Sequence, residues 1–264
     1  MMTKAFVQNG AEKVYITGRR KEKLEEAAKL SSNVTPIVGD VNSKESLLQV
    51  AEQIRKETGY INLLCANSGY MPPALGVKTT DVPIEEYASK ALEQKTEDWN
   101  TTFATNSTSV YFTAMAFLTL LYAGNKKDNA PGRRSQILVT ISIAGYLRNP
   151  ANLGAYPASK AATTHLVKHL SGTLAPYHIR ANAIAPGLFP SELAAGLIAQ
   201  GGSSDRDLSE EGAYDYSFIP ATRLGRTDDI VGTMLYMSSR AGAYLNGVIN
   251  VIDGGRIGLM NGTY

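Results

Sequence analysis

Only one cysteine, Cys65, occurs in 264 residues, so no disulfide can close within the chain. That fits a reducing compartment. It lies in the apolar stretch Leu63-Leu-Cys-Ala66, where a buried, inert thiol is expected. No apolar run reaches the ~18 residues that span a bilayer. Met1-Met-Thr-Lys-Ala-Phe-Val7 is too short for the apolar part of a secretory signal, so the cytoplasm is the expected location and no membrane partner is foreseen. Charge of one sign is also lacking. The 26 basic and 24 acidic side chains leave a net +2, too balanced to attract nucleic acid. Histidine is scarce as well. His165 and His169 have the i, i+4 spacing that can hold a metal on a helix. No third ligand is near in sequence, so a structural or surface pair is expected and no metal. His178 is read as complementing a helix dipole.

What is present is a regular alternation. Residues 3–9 read as the last turns of a helix closed by Gly10, followed by a strand at 13–17 and a charged amphipathic helix at 20–30. Strands at 34–38 and 61–66 flank a helix at 44–57. Beyond them come a long apolar helix at 99–121, a basic loop at 124–134, strands at 135–142 and 180–185, a helix at 223–239 and a last strand at 247–252. Strands alternating with helices argue for βαβ units and an α/β fold: a doubly wound parallel sheet in three α/β/α layers, Rossmann-like. Ligands of such sheets bind at the carboxyl ends of the strands. One domain covering 1–264 is expected. Residues 70–98 read as a surface insert or interface element. Residues 187–220 read as a substrate lid, with Gly201-Gly202 as a hinge and Ser203-Ser204 beside it.

The chemistry concentrates between Ser142 and Lys160. Tyr156 and Lys160 are four apart at the start of a helical run, hence on one face. A cation there favours the phenolate and is expected to draw the tyrosine pKa below its usual ~10. Such a group suits general acid catalysis of carbonyl reduction. Ser142, at the end of the preceding strand, can offer its hydroxyl to the same carbonyl oxygen.

These residues resemble the short-chain dehydrogenase/reductase family. Ser142-Ile-Ala-Gly145 matches its serine turn, Tyr156 to Lys160 its Tyr-x-x-x-Lys signature, and Asn106-Ser-Thr its helix asparagine. The likeness runs from about residue 3 to Asp253-Gly-Gly255. It implies that Tyr156 is the general acid or base and that Lys160 holds the cofactor ribose. Ser142 would orient substrate, and Asn106 would fix a water in a proton relay from Lys160. Asn67 and Gly69 survive from the family's Asn-Asn-Ala-Gly loop, here Ala66-Asn-Ser-Gly69. Asp40 matches an aspartate near the adenine, though an aspartate after a strand is also a common cap. Pro186-Gly187-Leu188 and Ser191 resemble the turn over the nicotinamide, with Leu188 offering backbone groups and Ser191 a hydroxyl.

Thr17-Gly18-Arg19-Arg20 places arginines where an acid would bind the ribose of NAD. Arg19 or Arg20 would meet a 2′-phosphate, so NADP(H) is the implied cofactor, against simple solvation of a helix start. One family feature is absent: no glycine-rich turn follows any expected strand. The sequence begins inside the helix that such a turn leads into. The absent piece is roughly 20 residues, a strand of ~5, a turn and two helical turns. In the family that strand lies between those at 13–17 and 61–66, and its loss would leave two edges unpaired. Either the start is an internal methionine of a longer protein or the chain lacks the motif.

The resemblance implies an NADP-dependent oxidoreductase acting on a small ketone or secondary alcohol, a 3-oxoacyl or secondary-metabolite ketone among them. It also implies a homo-oligomer, dimer or tetramer. The alternative is a weak or inactive relative acting as a binding or oligomer-partner protein.

Overall fold

The computed structural model describes residues 1–78, 80–148, 154–199 and 206–262. Six strands occur among them: β1 (Val14–Gly18), β2 (Val34–Val38), β3 (Leu63–Ala66), β4 (Gln136–Thr140), β5 (Arg180–Pro186) and β6 (Ile249–Ile252). The helices in chain order are α1 (Met2–Val7), α2 (Lys21–Ala28), α3 (Lys44–Glu57), α4 (Ile84–Leu92), α5 (Thr96–Phe103), α6 (Ser109–Lys127), α7 (Ala155–Thr173), α8 (Ala195–Ile198) and α9 (Thr227–Ser238). All strand pairs are parallel, as the alternating pattern requires. The fold is the expected α/β arrangement.

The sheet is in two parts. β1 pairs with β2, while β3, β4, β5 and β6 form a second sheet in that order. Among the described residues β1 and β3 share no ladder. A cavity of about 1150 Å³ lies between them, bordered by Tyr15 and Thr17 on one side and Leu64 and Cys65 on the other. It occupies the place of the strand expected between the two.

The four-stranded part holds the core. Side chains alternate across β4, since successive Cβ atoms point to opposite faces. Ile137 and Val139 meet Val110, Ala114 and Leu121 of α6 and Val167 and Leu170 of α7. Leu138 turns the other way, to Met234 and Met237 of α9. Each such fully buried side chain stabilises the fold by roughly 1.5–3 kcal/mol relative to exposure. A buried polar clamp secures the other end of these strands. Gln136 Oε1 accepts from Arg180 Nη1 at 2.9 Å and from Asn182 Nδ2 at 2.6 Å. Arg180 also donates to the carbonyls of Gly242 and Leu245.

Several boundaries differ from expectation. α1 ends at Val7 with Gln8 as its cap, and α9 starts at Thr227 rather than 223. The basic loop expected from residue 124 begins later, because α6 runs on to Lys127. Gly124 is no breaker: it lies against the Ile61 carbonyl, where a Cβ would collide with backbone. The helical run from Thr96 to Lys127 contains a window apolar enough to cross a membrane by length and composition. Its apolar side chains Val110, Phe117, Leu120 and Leu121 are instead committed to the core. α7 stops at Thr173, so His178 closes a separate 3₁₀ turn rather than that helix. Residues 206–226 pack around their own small cluster of Ala213, Tyr214, Ile219 and Leu224, which Leu188 joins. Gly201-Gly202 and Ser203-Ser204 lie outside the described residues.

Candidate active site

The site forms at the carboxyl end of β4. The pairing with β5 continues one residue past the strand, Ile141 N–H donating to the Ile184 carbonyl at 2.9 Å. The chain then turns in a 3₁₀ helix, Ile143–Tyr146, which Ser142 caps by accepting from Ala144 N–H at 3.2 Å. Gly145 permits the turn to sit on α7. A Cβ there would be 2.9 Å from the Lys160 carbonyl carbon and 3.0 Å from Ala161 N. Pro157 falls in the first turn of α7, where its missing N–H costs nothing.

Tyr156 and Lys160 share one face of α7, with Lys160 Nζ 5.7 Å from the Tyr156 ring centroid. Lys160 is 4% exposed, and its ammonium donates to the Thr140 carbonyl at 3.1 Å. The Ser142 hydroxyl is near enough to the Tyr156 phenol to act on its ionisation, so the two side chains face one point. The expected lowering of the tyrosine is reversed here. Burial raises the Tyr156 pKa above 10 and outweighs the Ser142 hydroxyl, which lowers it. The same desolvation brings Lys160 down to about 8. Low-dielectric surroundings disfavour both charged forms, which is why the phenol stays a protonated donor.

Asn106 is 1% exposed and lies in a π-helical turn, Ala104–Thr108, between α5 and α6. Such turns recur at functional sites. Its side chain clamps the Tyr70 backbone, accepting from Tyr70 N–H at 2.8 Å and donating to Tyr70 O at 2.9 Å. It also donates to Ser159 Oγ at 3.0 Å. The Asn106 carbonyl accepts from Thr163 Oγ1 at 2.7 Å. Gly69 passes close by, its position for a Cβ 3.6 Å from Asn106 Oδ1 and 3.8 Å from Lys160 Nζ. The asparagine therefore holds the 69–70 segment beside the lysine. Thr140, Ser159 and Thr163 complete this network without having been singled out in the sequence. The available signal was spacing: Ser159 is three residues from Tyr156, and Thr163 three from Lys160, on one helix.

The remaining expected residues surround the same edge. Asn67 Oδ1 accepts from Thr140 Oγ1 at 2.8 Å. Pro186 ends β5, and Gly187 sits so near Asp253 that a Cβ would be 2.7 Å from its Cβ. The Leu188 carbonyl accepts from Gly225 N–H at 3.0 Å, and Ser191 Oγ from Ala194 N–H at 3.2 Å. Across the cavity, Arg19 and Arg20 are exposed just beyond β1. Asp40 is not the cap of α3, a role Ser43 takes. Its Oδ1 instead accepts from Asn42 N–H at 2.9 Å.

This donor set fits a nicotinamide dinucleotide at its two ends: the phenol, ammonium and hydroxyl at one, the arginines at the other. Between them, no described strand end carries a glycine-rich turn. Cys65 borders the gap, its thiol pushed up to about 12 by desolvation, in keeping with the inert reading. His165 and His169 are exposed and bonded to each other, Nε2 to Nε2 at 3.1 Å. Among the described residues no cluster of three metal-ligating side chains exists.

Comparison with known proteins agrees with this geometry. Residues 1–256 match the family described as enoyl-(acyl carrier protein) reductase. The short-chain dehydrogenase/reductase SAT3 of Stachybotrys chartarum is 43% identical, with all of both chains covered. PhomF′ of Diaporthe leptostromiformis, also a short-chain dehydrogenase/reductase, is 41% identical over all of this chain and 89% of its own. A solved Pseudomonas aeruginosa structure, the RhlG/NADP active-site complex, is 25% identical with a TM-score of 0.73, covering 97% of this chain and 92% of its own. The chain belongs to the short-chain dehydrogenase/reductase family of oxidoreductases.

Proposed function

We propose that the protein is an NADP-dependent oxidoreductase, located in the cytoplasm and active as a homo-oligomer. In this reading it moves a hydride between nicotinamide and a ketone or secondary alcohol. A 3-oxoacyl or secondary-metabolite ketone is the substrate class, in line with the acyl-carrier description of the matching family. The single domain carries an insert at 70–98 and a lid at 187–220. The observation that carries the reading is the convergence of Ser142, Tyr156 and Lys160 at the end of β4.

NADPH, when bound, would supply the hydride. The chain's own groups handle the proton and the positioning. Ser142 donates a hydrogen bond that orients the carbonyl oxygen, and Tyr156 gives that oxygen its phenolic proton. Lys160 holds the ribose, and its charge steadies the phenolate left behind. Asn106 would support re-protonation from the lysine side by fixing a water there. Asn67, Gly69 and Asp40 would border the dinucleotide, Pro186-Gly187-Leu188 and Ser191 would hold its nicotinamide end, and Arg19 and Arg20 would meet the 2′-phosphate. The test is Tyr156→Phe, assayed with NADPH and a panel of ketones. Turnover falls by about 10²–10⁴-fold while NADPH still binds; turnover equal to wild type sinks the assignment.

One observation favours a second reading. The divided sheet leaves β1 and β3 unjoined where a dinucleotide would cross. A chain so divided would act as a binding or oligomer-partner protein with little turnover. NADPH fluorescence unchanged on mixing, together with a low melting temperature, would support it.

A further inference from the structure

Arg20 has a partner on the far side of the crevice. Its Nη1 donates to Glu192 Oε2 at 3.1 Å and Oε1 at 3.3 Å, across 172 residues of sequence. Two of the three acids of α2 are engaged locally instead, Glu25 with Lys21 and Glu26 with Lys23. The Arg20 backbone is fixed as the N-cap of α2, its carbonyl accepting from Leu24 N–H, so only the side chain reaches out. Glu192 follows Ser191, beyond the carboxyl end of β5.

The carboxyl end of β1 is separated from that of β5 by the cavity, β3 and β4. At about 4.8 Å per strand position that is roughly 19 Å. The loops after β1 and β5 must therefore arch toward one another for this pair to form. A dinucleotide laid along the same strand ends has its adenosine side at the first loop and its nicotinamide side at the second. The ion pair joins those two loops.

We propose that Glu192 is a specificity-determining residue, a built-in carboxylate rival of the cofactor's 2′-phosphate for the Arg20 guanidinium. This rests on the reading that Arg19 and Arg20 receive that phosphate. A phosphate dianion arriving at Arg20 either displaces the Glu192 carboxylate or sits beside it and is repelled. Both routes weaken phosphate-bearing ligands and leave ligands without the phosphate untouched. The pair is open to solvent, with side chains 65% and 76% exposed, so its effect is modest and salt-sensitive.

The test compares binding, by titration calorimetry, of 2′,5′-ADP and 5′-AMP, and of NADPH and NADH, to wild type and Glu192→Gln. The expected result is tighter binding of 2′,5′-ADP and NADPH by about twofold to fivefold, the range an exposed ion pair carries. Affinities for 5′-AMP and NADH stay as they were, and the gain shrinks in high salt. In an Arg20→Gln background, Glu192→Gln changes nothing. A shift common to all four ligands, no shift, or a shift that persists without Arg20 overturns the role of Glu192. Wild type that fails to distinguish 2′,5′-ADP from 5′-AMP overturns the phosphate reading itself, and this inference with it.

Discussion

The two sheets of this protein are built from similar residues and are packed very differently. In β4 Gln136 to Val139 are at most 2% exposed, covered by α6 and α7 on one face and α9 on the other. In β1, the edge of the two-stranded sheet, no residue is fully buried, and β3, the facing edge of the four-stranded one, is half-buried throughout. The difference lies in neighbours rather than in composition. Val14-Tyr-Ile-Thr17 is as β-prone as Ile137-Leu-Val-Thr140. Among the described residues β1 has no strand on its inner side. The trio proposed for catalysis stands on the dense half, and the arginines on the loose one.

The widest separation between the halves concerns chemistry. Tyr156→Phe lowers turnover by about 10²–10⁴-fold. Arg20→Gln weakens NADPH binding by roughly tenfold or somewhat more, the scale of one charge-assisted hydrogen bond, with little change in the maximal rate. Steady-state kinetics over a range of NADPH separates the two effects. If Arg20→Gln lowered the maximal rate as far as Tyr156→Phe, the halves would not divide the labour this way.

Stability gives the next contrast. Ile137→Ala, at a site with no exposure, costs about 2–5 kcal/mol. Ile16→Ala, in a half-buried strand beside the cavity, costs roughly half of that or less, since fewer contacts are lost. Denaturant midpoints decide, and equal losses would mean that β1 is as tightly packed as β4.

A smaller effect follows from Lys160. Its folded pKa is brought down to about 8 by burial from an ordinary 10.5. Between those values the unfolded chain holds a proton that the folded chain has released. Stability therefore rises with pH across that window, and the folded state bears the cost of the buried ammonium below it. Lys160→Met lacks this rise. Comparing urea midpoints of the two proteins at pH 8 and pH 10 tests it; parallel changes would mean that the lysine is not desolvated. The smallest contrast is in amide exchange. Cavity-facing amides of β1 exchange faster than those of β4, which pair on both sides.

Much of the dense half could be read in advance. A short run such as Ile137-Leu-Val139 marks a buried strand, and a spacing of four puts Tyr156 and Lys160 together on any helix. The division of the sheet was legible too, because no glycine-rich turn follows any strand expected from the sequence. Contacts between distant segments were not. Gly124 looks like a loop signal in sequence, and only the nearness of Ile61 shows it to be a packing position. Ser159 and Thr163 look like surface residues of a helix until Asn106 is placed opposite them. The direction of the Tyr156 shift is set by burial against the influence of the Ser142 hydroxyl, and a spacing of four in sequence reports neither. Nothing near Arg20 in sequence points to Glu192.

The lone sulfhydryl at the seam has a practical consequence. A thiol held near 12 is almost wholly unionised at neutral pH, and only the thiolate attacks alkylating reagents at a useful rate. Cys65 is thus a slow chemical clock standing at the border of the two sheets. Whatever fills the void beside it, peptide or small molecule, would slow that clock further, and a single mass increment would record the change without any label being engineered in.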